Sequence, residues 1–210
     1  MSLHKTSPKI IQNCYNWNSY PNLEHHHAIL SILDAYDLNG NQRMRIHSYV
    51  NSAINDAMVI TWFYKFLYEI PRPNQLDQKL ATLICTPSHP TYPGGHAVIG
   101  STITELLTLL FPVAKAQLDS LLDDSKRARF TSGVHYEVDN QNGEVLGRKI
   151  GSYIYNIMKD EKDENGNPID VYKRGDNRMI LRVEKRRDIN IFTCKSLIDK
   201  RSFIYNKKEF

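Results

Sequence analysis

Three separated stretches of this chain hold side chains that make chemical sense together. Lys65 and Arg72 flank FLYEIP, with Pro73 just after; Pro93-Gly94-Gly95-His96 leads into the helix-forming run AVIGSTITELLTLLF; Arg129 is followed by His135 and Asp139. Small residues before a helix predict an anion site, because the first backbone N–H groups point outward and no side chain blocks approach. His96, on that first turn, is placed to pass a proton to such an anion. His135 and Asp139 are four apart, which predicts a shared helix face. The carboxylate then accepts from one ring nitrogen and leaves the other as nucleophile or ligand. Lys65, Arg72 and Arg129 would together offset the charge of a tetrahedral oxyanion, the arginines through bidentate geometry. Singly, each feature has a dull explanation: a solvated lysine, a turn, a surface His–Asp pair. The order and spacing of the set point to chemistry.

The elements that must position these residues are helices. Apolar spacing predicts helices over Leu23 to Tyr36, Arg43 to Tyr68, His96 to Phe111, Val113 to Thr131, Gly133 to Asn140 and Val145 to Met158. DLNGNQ breaks the first from the second, the prolines around Arg72 end the second, and the Asn142-Gly143 pair breaks the fifth from the sixth. DEKDENGNPID reads as a turn, and the tail beyond it as a hairpin or short helices. The sum is an all-α helical bundle with its active site in the core, at the helix start near His96. Residues 1–160 form this helical domain and residues 161–210 an irregular basic C-terminal extension.

The composition bounds the reading. With 210 residues, 41% apolar and 24% charged, the chain suits one globular domain. The net charge is only +4 although the stretch from Tyr172 is visibly basic. That stretch interleaves its cations with Ile, Leu, Val and Phe, which predicts an amphipathic packed segment and not a nucleic-acid surface. Three cysteines, Cys14, Cys85 and Cys194, have no paired spacing, so neither a disulfide framework nor a thiolate zinc site is expected, and a reducing compartment fits. The N-terminus has no apolar signal core. The most apolar run, Ala97 to Ala114, contains Glu105 and Pro112 and reads as a buried helix, not a membrane span. A cytoplasmic protein with no nucleic-acid partner and no transmembrane span is expected; a homo-oligomer is allowed. Glu24-His25-His26-His27 is an unsuitable metal site, since adjacent histidines splay around a helix. DLNGNQ and DENGNP lack the acidic alternation and terminal Glu of a calcium loop.

Lys-x6-Arg-Pro, Pro-x-Gly-His and Arg-x5-His-x3-Asp resemble the three-part signature shared by type 2 phosphatidic acid phosphatases, bacterial acid phosphatases and vanadium-dependent haloperoxidases. Lys65, Arg72, Gly95, His96, Arg129, His135 and Asp139 fall on matching positions, and the resemblance runs from about Arg43 to Ile157. Two positions depart from it: Gly94 and Ala128 stand where the family usually has serine. A missing hydroxyl at 94 removes a hydrogen bond to the oxyanion, on the order of 1 kcal/mol. Asn55-Asp56-Ala57 with Trp62, Ser88-His89-Pro90-Thr91-Tyr92-Pro93, and Gly143 with Gly147 are more similar to the haloperoxidase branch, although the chain is shorter than typical haloperoxidases.

The resemblance implies vanadate as cofactor, ligated by His135 with Asp139 orienting the ring. Lys65, Arg72, Arg129 and the Gly94-Gly95 turn would hold the vanadate oxygens. His96 would move protons, Lys65 would polarise bound peroxide, and His89 and Trp62 would lie near the halide. The substrates would be hydrogen peroxide and a halide, bromide before others. The alternative implied by the same atoms is a phosphomonoesterase that needs no cofactor: His135 attacks phosphorus to form phosphohistidine while His96 protonates the leaving group and then activates water. A third class, a non-catalytic phosphate-binding protein, is disfavoured by the complete set of cations and both histidines.

Overall fold

In a computed structural model, residues 7–19 and 23–169 are described. They form α1 (Pro8–Ser19), α2 (Leu23–Ala35), α3 (Gly40–Tyr68), a short α4 (Pro73–Leu76), α5 (Gly95–Leu110), α6 (Lys115–Thr131, entered through a 3-10 turn at Pro112–Ala114) and α7 (Glu137–Met158). The architecture is all-α, as expected, with no strand among the described residues. The tail beyond residue 169, including its expected hairpin or short helices, lies outside the described residues.

Local chemistry accounts for several boundaries. DLNGNQ is the start signal of α3: Asn39 Oδ1 accepts the Gln42 N–H at 2.9 Å and Gln42 Oε1 accepts the Asn39 N–H at 3.0 Å, a capping box. At its other end α3 stops at Glu69, whose left-handed backbone (φ 47°) turns the chain toward Arg72. DENGNP is a turn organised by Asp163, whose Oδ1 accepts the N–H groups of Asn165 and Asn167 at 2.9 and 2.8 Å.

The apolar helix α5 is the central element. Val98, Ile103, Leu106 and Leu107 are buried on it, and α3, α6 and α7 pack around it. α7 approaches it most closely, through Gly143, Gly147 and Gly151, four apart and on one face. A Cβ on Gly143 would lie 2.9 Å from the Gly94 carbonyl oxygen, and one on Gly147 would collide with Ser101 Oγ and the Val98 carbonyl. Thr102 Oγ1 in turn donates to the Gly147 carbonyl at 3.1 Å.

Two expectations are corrected, and one helix is added. The helices read over Gly133 to Asn140 and Val145 to Met158 are a single α7 beginning at Glu137 and running through Asn142-Gly143. Tight packing on α5 requires the glycine that looked like a breaker. α1 was not anticipated; its buried residues Ile11, Cys14 and Trp17 recur every three positions, a narrow stripe flanked by polar residues. Cys85 is disulfide-bonded although its spacing suggested no disulfide, whereas Cys14 is free and buried; Cys194 lies outside the described residues. Among the described residues, no helix is long and apolar enough to cross a membrane.

Candidate functional site

The last turn of α3 and the residue before α4 bury two cations side by side. Lys65 and Arg72 are 2% and 1% exposed, so their charges sit in protein and must be met by protein dipoles. Lys65 Nζ donates to the carbonyls of Pro90, Thr91 and Pro93 at 2.7, 3.0 and 2.7 Å. Arg72 donates through Nε to the His89 carbonyl at 3.0 Å and through NH1 to the Val134 carbonyl at 2.7 Å. The two cations thus clamp the loop of residues 89–93 instead of standing with open donors. Burial, aided by the Arg72 charge, pushes the Lys65 ammonium down to about 7. Burial likewise brings Arg72 to about 10, with Arg129 adding to the effect.

His135 lies just before α7, not on it, so it does not share a helix face with Asp139. Asp139 occupies the first turn of α7, where Oδ2 accepts the Tyr136 N–H at 2.9 Å, and from there it reaches back to His135 Nδ1 at 3.1 Å. Thr91 donates to the same oxygen at 2.5 Å and lies 3.1 Å from His135 Nδ1. Arg72 NH1, which can only donate, lies 3.2 Å from His135 Nε2. These partners assign the proton to Nδ1 and the lone pair to Nε2. Burial, reinforced by Arg72 and Arg129, holds the imidazole well below its ordinary pKa despite the Asp139 hydrogen bond. Burial opposes ionisation of Asp139, but its bonds from His135, Thr91 and Tyr136 outweigh that and keep it below the usual carboxylate range.

The start of α5 completes the site. The Gly94 N–H is already given to the Asp139 carbonyl at 3.0 Å, which ties the second stretch to the third. The first-turn N–H groups of Gly95 and His96 have no acceptor within the helix. A Cβ on Gly94 would lie 3.0 Å from Asn140 Oδ1 and 3.1 Å from the Asp139 carbonyl oxygen, so a serine there would need its neighbours to give way by a few tenths of an ångström. His96 is partly buried, and its Nε2 lies 3.1 Å from the Trp17 carbonyl on α1. Burial, with Arg129 and His135 adding to it, keeps His96 well below its ordinary pKa and therefore neutral.

Arg129, at the end of α6, is 3% exposed; its Nε has no hydrogen-bond partner, and NH1 reaches Asn18 Oδ1 at 3.4 Å. The Trp62 ring meets His89 edge-on at 4.6 Å between centroids, and His89 Nδ1 lies 3.2 Å from Arg72 NH2. Burial and the charges of Lys65 and Arg72 lower His89 to about 4.

All of the sequence-predicted positions therefore converge around the start of α5, the loop of residues 89–93 and the start of α7. Sequence reasoning missed Thr91, Asn140, and Trp17 with Asn18. Thr91 sits inside the quoted SHPTYPGGH stretch, and Asn140 directly follows Asp139; the α1 residues had only the weak three-residue stripe. The lone pair on His135, the three buried cations and the unpartnered Arg129 Nε fit a tetrahedral oxyanion, which would replace protein dipoles as their counter-charge. His25 is buried edge-on against Trp17, and no group of three or more metal-ligating side chains occurs among the described residues.

Comparison with solved structures shows the same fold in two enzymes of different activity. A bacterial vanadium-dependent iodoperoxidase is 21% identical, with a TM-score of 0.60, over 73% of this chain and 44% of its own. A transmembrane PAP2-type phosphatidylglycerolphosphate phosphatase from Bacillus subtilis is 14% identical, with a TM-score of 0.55, over 77% of this chain and 83% of its own. The match thus spans less than half the length of the iodoperoxidase. No protein-family profile and no curated protein sequence matches the chain. The chain shares the helical fold of these two enzymes.

Proposed function

We propose that this chain is an enzyme of oxyanion chemistry at His135, and that it acts as a vanadate-dependent haloperoxidase. The observation that carries the reading is the His135 Nε2 lone pair facing Arg72, with its tautomer set by Asp139 and Thr91. Nε2 would hold vanadate while Arg129, Arg72 and Lys65 neutralise its oxygens and the α5 N-terminus adds N–H donors. Bound vanadate would supply the electrophilic centre at which hydrogen peroxide is activated to oxidise a halide. His96, neutral and at the first turn of α5, would take and return protons. Trp62 and His89, packed edge to face beside Arg72, support a halide-side role.

The second reading is a phosphomonoesterase in which His135 Nε2 attacks phosphorus and His96 protonates the leaving oxygen. It is favoured by scaffold size, since the phosphatase is matched over 83% of its length. A paired assay on one metal-free preparation separates the two: hydrolysis of an aryl phosphate, then peroxide-dependent oxidation of bromide and iodide after adding orthovanadate. Halide oxidation at multiple turnovers that is lost in His135→Ala supports the haloperoxidase; fast hydrolysis with negligible halide oxidation makes the chain a phosphatase. Neither activity in the parent protein would reject both readings.

A further inference from the structure

We propose that α1 belongs to the functional site, with Asn18 and the Trp17 carbonyl acting as positioning groups that hold Arg129 and His96 against the oxyanion at the start of α5. The inference rests on the oxyanion reading above and concerns a helix outside all three sequence stretches. α1 is anchored along α6: Asn13 Nδ2 donates to the Asp124 carbonyl at 3.2 Å, and Cys14 Sγ to the Ala128 carbonyl at 3.4 Å. That anchoring places two consecutive residues on two separate functional groups, the Trp17 carbonyl on His96 Nε2 and Asn18 Oδ1 on Arg129 NH1. Trp17 is 2% exposed, so its backbone has little freedom to leave.

Each contact has a chemical consequence. A carbonyl only accepts, so His96 Nε2 carries the proton, and in the neutral ring Nδ1 holds the lone pair. The nitrogen left to exchange protons is therefore Nδ1, and the Trp17 carbonyl selects it. Asn18 presents a neutral acceptor to Arg129, orienting the guanidinium without cancelling its charge. A carboxylate there would form an ion pair and take the arginine away from an anion.

The test is sulfate and orthovanadate binding by calorimetry in the parent, Asn18→Leu and Asn18→Asp proteins, with circular dichroism and thermal melts as folding controls. We expect Asn18→Leu to weaken both anions about threefold to tenfold, the ordinary net worth of one hydrogen bond. Asn18→Asp should weaken them further at neutral pH and recover as the new carboxyl protonates at low pH. A merely structural role would not produce that recovery. Nitrogen-15 spectra of the parent should show His96 protonated at Nε2. Unchanged anion affinity in both folded variants, or an Nδ1–H tautomer of His96, would overturn the proposal. A parent protein that binds neither anion would instead remove the oxyanion reading on which it rests.

Discussion

At the scale of single residues, the site is defined by which nitrogen carries which proton. In the proposed function His135 serves only while Asp139 and Thr91 hold the Nδ1 proton and leave Nε2 with its lone pair. Asp139→Asn removes the charge that orients the ring, and we expect oxyanion affinity and activity to fall about 10- to 100-fold, as when a ligand's outer partner is lost. His135→Ala should abolish activity, and full activity in that variant would sink the assignment. Lys65 adds a pH dependence. Its pKa, about 7 in the folded protein, means that the ammonium an anion needs is lost as pH rises past neutrality. Sulfate, which stays fully ionised over this range, should therefore bind progressively more weakly from about pH 6 to about pH 9, and in Lys65→Met that decline should disappear.

At the scale of elements, the close approach of α5 and α7 holds the start of α5 against the start of α7. Gly143 and Gly147 allow it, because a Cβ at either would strike backbone or Ser101. Gly147→Ala should cost about 1–3 kcal/mol in chemical denaturation, the usual range for overpacking. It should also weaken anion binding, because moving α7 moves Asp139. Asn39 makes a useful contrast. Asn39→Ala removes the capping box of α3 and should cost about 1 kcal/mol while leaving anion affinity unchanged, since the cap lies at the end of α3 far from Lys65. Equal losses of anion affinity in both variants would show that global stability, not helix register, controls the site.

For the whole molecule, the burial of Lys65, Arg72 and Arg129, of which Lys65 and Arg72 feel the Asp139 charge, costs stability that an oxyanion would offset. Lys65 has an unfolded pKa of 10.5 and a folded one of about 7. Below the folded value both states carry the proton, so this group gives no pH dependence there. Between the two values only the unfolded chain is protonated, so this group makes stability rise with pH. An anion that restores the ammonium should raise the melting temperature most at or below neutral pH and less above it. Melts with and without sulfate across that range check both signs, and a stabilisation by sulfate that grows with pH would contradict them.

Much of this was legible in the residues themselves. Types and spacing singled out Lys65, Arg72, the Gly-Gly turn, His96, Arg129, His135 and Asp139 as candidates, because cations, small residues and imidazoles before a helix have a meaning that needs no coordinates. Helical periodicity likewise carried the all-α class and most helix positions, since burial of one face imposes its own repeat. Tertiary structure decided the rest. Asn142-Gly143 reads as a breaker until α5 lies close enough to need a missing side chain. Gly94 reads as a lost hydroxyl until Asn140 is seen beside it. Lys65 reads as a free cation until three loop carbonyls surround it. The part α1 plays depends on contacts between residues 79 and 111 positions apart. Local sequence records what a residue can do, whereas partners that distant in the chain meet only when the core closes.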